Sequence, residues 1–185
     1  MQTQVKCLEG SRVYLRSLNG EDLELYYQLL ANPETKRLTG TQPFFTKEQL
    51  ARYIEDKWQD SSGVLLLIAL QDSDKVIGEV AFTDIDRVNR NANIRIAIDL
   101  AEHQGKGYGQ EALLLMLDYG FGVQNLHRID LEVFTYNPRA IHVYEKLGFV
   151  REGVRRHTLF YNHEYHDTIL MSMLEHEYRE RYIQK

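Results

Sequence analysis

Two short segments of the sequence combine residue types and spacings that can do chemistry. The first, Gln104-Gly105-Lys106-Gly107-Tyr108-Gly109, follows a predicted strand and opens a predicted helix. Glycines let the backbone approach a ligand closely, and the first amides of a helix have no partner within it. Together with the helix dipole and the Lys106 ammonium group, these amides favour a pyrophosphate. Taken alone, the segment is equally compatible with a glycine-rich turn that binds nothing.

Two common phosphate-binding loops do not match this segment. A Walker A loop requires Ser or Thr after Gly-Lys and a further glycine upstream, and the sequence has neither. The dinucleotide-binding fingerprint has a different glycine spacing and lies in a βαβ unit, whereas the strands before this loop read as antiparallel. The spacing therefore predicts a diphosphate site of another class.

The second segment runs from Asn137 to Phe149. Asn137 is a suitable N-cap, the following proline suits the first helical position, and Gly148 supplies a left-handed end. Tyr144 falls near the C-terminus of this helix, on the face predicted to turn toward the sheet. A half-buried packing residue is the usual role of a tyrosine in such a place. Only the combination with the first segment favours a chemical role for Tyr144.

The elements that position these segments follow from hydrophobic periodicity and turn signals. Helices are predicted at Glu21–Ala31, from Thr46 through Trp58, at Gly107–Phe121 and from Asn137 to Gly148. Strands are predicted at Val13–Leu18, Val64–Leu70, Val76–Thr83, Asn93–Leu100, Ile129–Phe134, Phe149–Val154, His157–Tyr161 and Asp167–Leu174. This order predicts a mixed α/β fold with a mainly antiparallel sheet and helices on both faces. Because no repeat or linker interrupts the pattern, a single domain spanning 1–185 is expected.

Composition narrows the functional class. The chain has 22 Lys+Arg against 27 Asp+Glu, and the resulting net charge of −5 argues against nucleic acid and suits a cationic substrate. Cys7 is the single cysteine, which excludes an internal disulfide, and His163 and His166 are a poor metal pair, so no metal is expected. No apolar stretch reaches the ~20 residues of a membrane span, and no signal peptide is evident, so a cytoplasmic protein is expected.

The two segments, in this order and context, resemble the motifs of the GNAT acetyltransferase superfamily. Gln104–Gly109 is similar to its Gln/Arg-x-x-Gly-x-Gly/Ala pyrophosphate loop, and Asn137–Phe149 is similar to its downstream Asn…Ala…Tyr…Leu-Gly-Phe motif. The resemblance covers nearly the whole chain. It looks closest to the branch of ribosomal-protein N-terminal and bacterial spermidine acetyltransferases. Stretches similar to the polyamine enzymes in particular are Leu117–Phe121, Phe160–Tyr165 and Met171–Tyr178.

This resemblance implies direct transfer of an acetyl group from acetyl-CoA to a primary amine. It also implies a sheet that opens after the Asn93–Leu100 strand, and it adds a homodimer as an expectation. The residues implied to contact the cofactor are Ile96, Ala97 and Ile98 on the strand, Gln104, Gly105, Lys106, Gly107, Tyr108 and Gly109 in the loop, and Asn137, Ala140 and Tyr144 downstream.

Amine acylation requires a base and an acid. A free alkylamine has a pKa of about 10.4 and must lose a proton before it attacks. The resemblance assigns Tyr144 as the donor to the leaving thiolate. Many relatives have Glu at the position that matches Asn93, and an amide cannot abstract a proton. Glu79 and Asp84 are therefore the candidate bases, acting directly or through water, with Asp86 nearby.

The resemblance leaves the substrate open. A polyamine such as spermidine fits the local similarity and the acidic charge balance. However, Leu38–Pro43 lacks the acidic pair found near this point in spermidine enzymes, which counts against cation recognition there. The alternatives are an N-terminal peptide amine, a small amine antibiotic, and a non-catalytic acyl-CoA sensor. Asn93 favours the sensor, and Tyr144 argues against it.

Overall fold

The computed structural model describes residues 5–99 and 101–183. Within them the strands are β1 (Leu8–Glu9), β2 (Val13–Ser17), β3 (Val64–Leu70), β4 (Val76–Asp86), β5 (Asn91–Ile98), β6 (Arg128–Phe134), β7 (Val150–Tyr161) and β8 (Glu164–Leu174). The α-helices are α1 (Leu23–Ala31), α2 (Pro33–Thr39), α3 (Lys47–Gln59), α4 (Tyr108–Gly122), α5 (Pro138–Leu147) and α6 (Glu175–Tyr182). Leu100, the predicted end of the fourth strand, lies outside the described residues.

The strands form a mixed sheet in the order β1-β2-β3-β4-β5-β6-β8-β7. Pairing between β5 and β6 is parallel, and the other described registers are antiparallel. The predicted mixed α/β fold with a mainly antiparallel sheet is therefore confirmed. No described helix combines the length and hydropathy that a membrane span requires.

The chain forms two compact units, and the residues of β4, β5 and α4 are divided between them. The first unit contains the described residues up to Thr83 together with Arg95–Met116, and the second contains Asp84–Ile94 and the chain from Leu117 onward. In the first unit, α1 and α3 bury Tyr26, Leu50 and Ile54 against Leu67 of β3. The expectation of one domain spanning 1–185 stays a prediction.

The helix starts show how far local sequence determines the fold. The predicted capping box at α3 is confirmed, because the Gln49 amide donates to Thr46 Oγ1 (3.2 Å) and the Thr46 amide donates to Gln49 Oε1 (2.9 Å). The pair Asn32-Pro33 was expected only to end the preceding helix. It also begins α2, because Asn32 Oδ1 accepts from the amides of Glu34 and Thr35.

The C-terminal strands differ from the prediction in one respect. The two strands expected at Phe149–Val154 and His157–Tyr161 form a single strand, β7, with register shifts between Arg151 and Gly153 and between Arg155 and Leu159. Such bulges interrupt the alternation of side chains, which explains why the sequence reads as two strands. The predicted tight turn at Asn162-His163 is confirmed by φ angles of +51° and +68°. Strand β1 and helices α2 and α6 were not predicted.

Candidate active site

The glycine loop before α4 depends on left-handed backbone. Gly105 has a φ of +74° and Gly107 a φ of +83°. A Cβ atom at Gly105 would meet open space, whereas one at Gly107 would lie 3.0 Å from Nη2 of Arg12. Left-handed backbone costs other residues about 1–2 kcal/mol. The loop shape therefore favours glycine at both positions, and Gly107 also makes room for a guanidinium group.

The backbone amides at the end of this loop have no hydrogen-bond acceptor among the described residues and are called bare amides below. Within the described residues, no acceptor meets the amides of Gly107, Tyr108, Gly109 and Gln110, and the first bonded amide is that of Glu111, 3.1 Å from the Gly107 carbonyl oxygen. Helix α4 is 15 residues long and directs its positive dipole end toward the loop. Together with the exposed Lys106, these donors fit an anionic group such as a diphosphate.

The loop is anchored to the start of β2. Glu111 accepts hydrogen bonds from the Arg12 amide (2.8 Å), the Val13 amide (3.3 Å) and Ser11 Oγ (3.2 Å), and it forms an ion pair with Arg12 Nε (2.9 Å). Partial burial alone would raise the pKa of Glu111, but these hydrogen bonds outweigh it and lower the pKa. Glu111 is therefore a carboxylate at neutral pH. Arg12 Nη1 also donates to the Lys106 carbonyl oxygen (2.8 Å).

Strand β5 precedes this loop in the chain, and a short 3-10 helix at Ala101–His103 lies between them. Ile96, Ala97 and Ile98 are half-buried, and the Ile98 carbonyl oxygen accepts from Gln104 Nε2 at 3.3 Å. A Cβ atom at Gly109 would lie 3.3 Å from Ile98 Cγ1 and 3.6 Å from Ile96 Cδ1. The described pairing of β5 with β6 is limited to the first three residues of β5, at positions 91–93. The backbone of the last three residues is therefore not committed to that ladder.

Glu79 is a buried carboxylate of the first unit. Its residue is only 7% exposed, and its Oε2 atom has no hydrogen-bond partner among the described residues. Burial raises the pKa of Glu79, while the Tyr26 hydroxyl group and the positive charge of Arg95 act in the opposite direction. Tyr26 is buried and stacks on Tyr53 at a ring separation of 6.3 Å. A carboxylate with raised basicity and an unused oxygen can take up an ammonium group or its proton.

The other two carboxylates have different surroundings. Asp84 is exposed and has a φ of +54° within β4. Asp86 accepts from the amides of Val88 and Asn89, both at 2.8 Å, and the hydrogen bonds from Asn89 and Val88 lower its pKa. Asp86 therefore acts in the turn that follows β4. Glu79 is the stronger candidate, because it is buried with an unused oxygen and burial raises its pKa. The role of Asp84 stays a prediction.

Tyr144 lies on α5 and is only 8% exposed. Its ring packs edge to face on Phe149 with the centroids 5.9 Å apart, and its hydroxyl group has no hydrogen-bond partner among the described residues. Burial raises the pKa of Tyr144 to about 12. The phenol therefore remains protonated at neutral pH and is free to donate its hydrogen.

Asn137 begins α5 as the sequence predicts. Its Oδ1 atom accepts from the Ala140 amide at 3.2 Å, so this oxygen and this amide are already paired within the helix cap. The Asn137 amide nitrogen Nδ2 is left to meet a ligand. Asn93 Nδ2 donates to Asp130 Oδ1 at 3.2 Å, which gives this side chain a structural partner. The predicted cofactor contacts of Asn137 and Ala140 stay predictions.

The predicted site residues divide between the two units. Those in the first unit are Glu79, Ile96, Ala97, Ile98 and the loop Gln104–Gly109, and those in the second are Asp84, Asn137, Ala140 and Tyr144. No local sequence pattern indicates four residues that act on the candidate groups. Arg12 and Glu111 lie at the loop, the Tyr26 hydroxyl group bonds Glu79, and the positive charge of Arg95 acts on Glu79. No group of three or more metal-ligating side chains occurs among the described residues. The expected absence of a metal stays a prediction.

Comparison with known proteins assigns the family. The model of the acetyltransferase (GNAT) domain matches residues 12–150, a span that includes the glycine loop, Glu79 and Tyr144. The chain belongs to the GNAT acetyltransferase family. It is thus an acyltransferase that uses acetyl-CoA as co-substrate. The bare amides of the loop are the observation in this structure that fits the diphosphate of that cofactor.

Spermidine acetyltransferases are among the similar proteins. The chain is 36% identical to spermidine N(1)-acetyltransferase of Escherichia coli K12, over 90% of this chain and 88% of that protein. It is 33% identical to the Vibrio cholerae enzyme of the same name, over 93% of this chain and 98% of that protein. The crystal structure of the Vibrio cholerae spermidine N-acetyltransferase with CoA and spermine superposes with a TM-score of 0.86 at 31% identity, covering 91% of this chain and 99% of that one. The sequence-based assignment to the GNAT superfamily and its spermidine acetyltransferase branch is therefore confirmed.

We predict that Gly107→Val weakens binding of coenzyme A. The variant places a branched side chain on a left-handed residue, at a cost of about 1–2 kcal/mol, and directs its Cβ atom toward Arg12. The loop then has to change shape, which moves its bare amides. Calorimetric titration with acetyl-CoA measures the loss, and Gly122→Val is the control, because nothing lies within 4 Å of a Cβ atom there. Undiminished affinity in Gly107→Val would contradict the loop assignment.

Proposed function

We propose that this protein transfers the acetyl group of acetyl-CoA to a primary amine of a polyamine such as spermidine. The observation that carries this proposal is the buried Glu79 carboxylate, whose free oxygen matches the need of a cationic amine for a proton acceptor. The spermidine acetyltransferases of Escherichia coli and Vibrio cholerae support the substrate class. The net charge of −5 is compatible with a polycationic substrate.

Different residues of the chain bind the cofactor, accept the amine proton and donate a proton to the thiolate. Acetyl-CoA supplies an acyl group activated as a thioester. The loop from Gln104 to Gly109 holds the diphosphate through its bare amides, and the backbone of Ile96, Ala97 and Ile98 positions the cofactor arm. Glu79 accepts the proton that the substrate ammonium group must lose, because its buried carboxylate is more basic than an exposed one. Tyr144 donates a proton to the departing thiolate, since its phenol is protonated at neutral pH.

The loop after α2 is not assigned to the substrate. Here the ammonium group of Lys36 lies 2.6 Å from the Pro43 carbonyl oxygen and 3.4 Å from that of Gln42. The same group lies 4.0 Å from the ring centre of Phe44. A cation of the chain therefore occupies the place where the sequence lacks an acidic pair.

A substrate panel tests the proposal. The release of CoA thiol is measured with spermidine, spermine, putrescine, a peptide with a free N-terminus and an aminoglycoside, each at several concentrations. The expected result is the highest kcat/KM for a polyamine. A higher value for the peptide would support the N-terminal amine alternative instead. Tight binding of acetyl-CoA without turnover on any amine would support the acyl-CoA sensor.

Several broader expectations remain predictions. These are a cytoplasmic location, a homodimer, and the absence of nucleic-acid and membrane partners. The composition and the family resemblance support them, and a sedimentation experiment on the purified protein would determine the oligomeric state.

A further inference from the structure

Arg12 joins the two parts of the phosphate loop. Its Nη1 atom donates to the carbonyl oxygen of Lys106 (2.8 Å), in the middle of the loop, while its Nε atom bonds Glu111 Oε2 (2.9 Å), in the first turn of α4. Its guanidinium carbon also lies 5.3 Å from the ring centre of Tyr108. One planar side chain thus fixes the positions of a loop carbonyl, an aromatic ring and a helix residue.

The charge of Glu111 gives this arrangement a functional consequence. A carboxylate in the first turn stabilises the helix, but it also lies beside a loop that has to receive a diphosphate. The negative charge of Glu111 would repel the negative diphosphate and so weaken cofactor binding. The guanidinium group of Arg12 offsets this negative charge. Loss of Arg12 would leave Glu111 ionised, because the amides of Arg12 and Val13 and the hydroxyl group of Ser11 would still hold it.

One donor of Arg12 is left for a ligand. Its Nη2 atom has no acceptor among the described residues, and it lies 3.0 Å from the position that a Cβ atom would take on Gly107. It therefore borders the loop at the residue whose amide is also bare. A guanidinium nitrogen in this place suits a phosphate oxygen.

We propose that Arg12 is a further residue of the diphosphate site: it holds the glycine loop in shape, offsets the charge of Glu111 and offers Nη2 to a phosphate oxygen. This inference rests on the proposed function, because it takes the loop as the diphosphate site. Arg12 lies 92 positions before the loop begins at Gln104, immediately before β2 in the first unit.

The test compares two acyl donors. For Arg12→Met, we expect the Kd for CoA and the KM for acetyl-CoA to rise by about 10- to 100-fold, the range for losing a hydrogen bond to a charged group. The kcat at saturating acetyl-CoA should stay unchanged. With acetyl-pantetheine, which lacks the diphosphate, Arg12→Met should match the wild-type protein in kcat/KM. An equal loss with both donors would overturn the proposal, since it would indicate general disruption.

A second variant distinguishes the effect of the Glu111 charge from the effect of Arg12 on the shape of the loop. In Arg12→Met with Glu111→Gln, the uncompensated carboxylate is removed, and we expect part of the lost CoA affinity to return. No recovery would overturn the charge-cancelling role. Arg151→Met is the matched control, because Arg151 forms an exposed ion pair with Glu145 (2.7 Å) in the second unit. Absence of CoA binding in the wild-type protein would instead refute the proposed function itself.

Discussion

Glu79→Gln is expected to lower kcat/KM for spermidine at neutral pH by about 10²- to 10⁴-fold, the usual contribution of a general base. Glutamine keeps the size of the side chain and its place beside Tyr26, but it cannot accept the substrate proton. Steady-state kinetics with spermidine and acetyl-CoA measure the loss. The CoA affinity should remain unchanged, since the proposed diphosphate site is formed by the glycine loop.

The same variant has a predicted effect on stability. Burial raises the pKa of Glu79 above its value in the unfolded chain, so the folded state favours the protonated carboxyl group. Its contribution to the free energy of unfolding is therefore fully present at low pH and is lost as the pH rises through the folded-state pKa. At neutral pH, Glu79→Gln should fold at least as stably as the wild-type protein. If Glu79→Gln lost activity because it failed to fold, this prediction would be wrong.

Two comparisons sharpen this prediction. Glu48→Gln, at an exposed position on α3, should leave kcat/KM unchanged. The kcat/KM of the wild-type protein should rise with pH along an acidic limb that lies above the ordinary pKa of glutamate, and this limb should disappear in Glu79→Gln. If Asp84→Asn gives the large loss and Glu79→Gln does not, the assignment of Glu79 as the base is wrong.

Tyr144→Phe is expected to lower kcat by about 10²- to 10⁴-fold, as for removal of a general acid. The hydroxyl group has no partner among the described residues, so its removal leaves no unpaired group behind. The packing on Phe149 is retained by the new ring. Binding of acetyl-CoA, measured by calorimetry, should therefore change little while turnover falls.

A second tyrosine provides the control for Tyr144→Phe. Tyr178 is also buried, and its hydroxyl group donates to Asp118 Oδ1 at 2.9 Å. Tyr178→Phe should retain kcat and lose about 1 kcal/mol of stability, the typical value of one hydrogen bond. Because burial raises the pKa of Tyr144 to about 12, its deprotonation should add no falling limb to the pH profile below that value. An unchanged kcat in Tyr144→Phe would remove the acid assignment.

Local signals predicted much of the fold. Val64–Leu70 is one apolar run and forms β3 with the predicted bounds, and Thr46 with Gln49 forms the expected capping box. The predicted elements differ from the structure in two kinds of place. In one, a residue pair both ends a helix and begins the next; in the other, strand pairing interrupts the alternation of side chains. Asn32-Pro33 ends one helix and begins the next, and the bulges in β7 reverse the side-chain pattern of a continuous strand. Neither effect can be read from periodicity alone.

Some residues of the candidate site could be predicted from local sequence, and others depend on contacts between distant parts of the chain. Glycine spacing indicated the loop, and the Asn137–Phe149 motif indicated Tyr144, because each is a local pattern. The Arg12–Glu111 contact joins residues 99 positions apart, so no window of sequence shows it. Glu79 could be named as a carboxylate on a strand, but its raised pKa depends on burial beside Tyr26, which follows from the packing of α1.

The central claim is that this protein acetylates a polyamine and uses Glu79 to take the amine proton. Its most direct test is mass spectrometry of a mixture of spermidine, acetyl-CoA and purified protein, with Glu79→Gln in parallel. The expected result is spermidine carrying one added acetyl group, formed in step with free CoA by the wild-type protein and almost absent with the variant. Unmodified spermidine with the wild-type protein, or equal product from both proteins, would contradict the account.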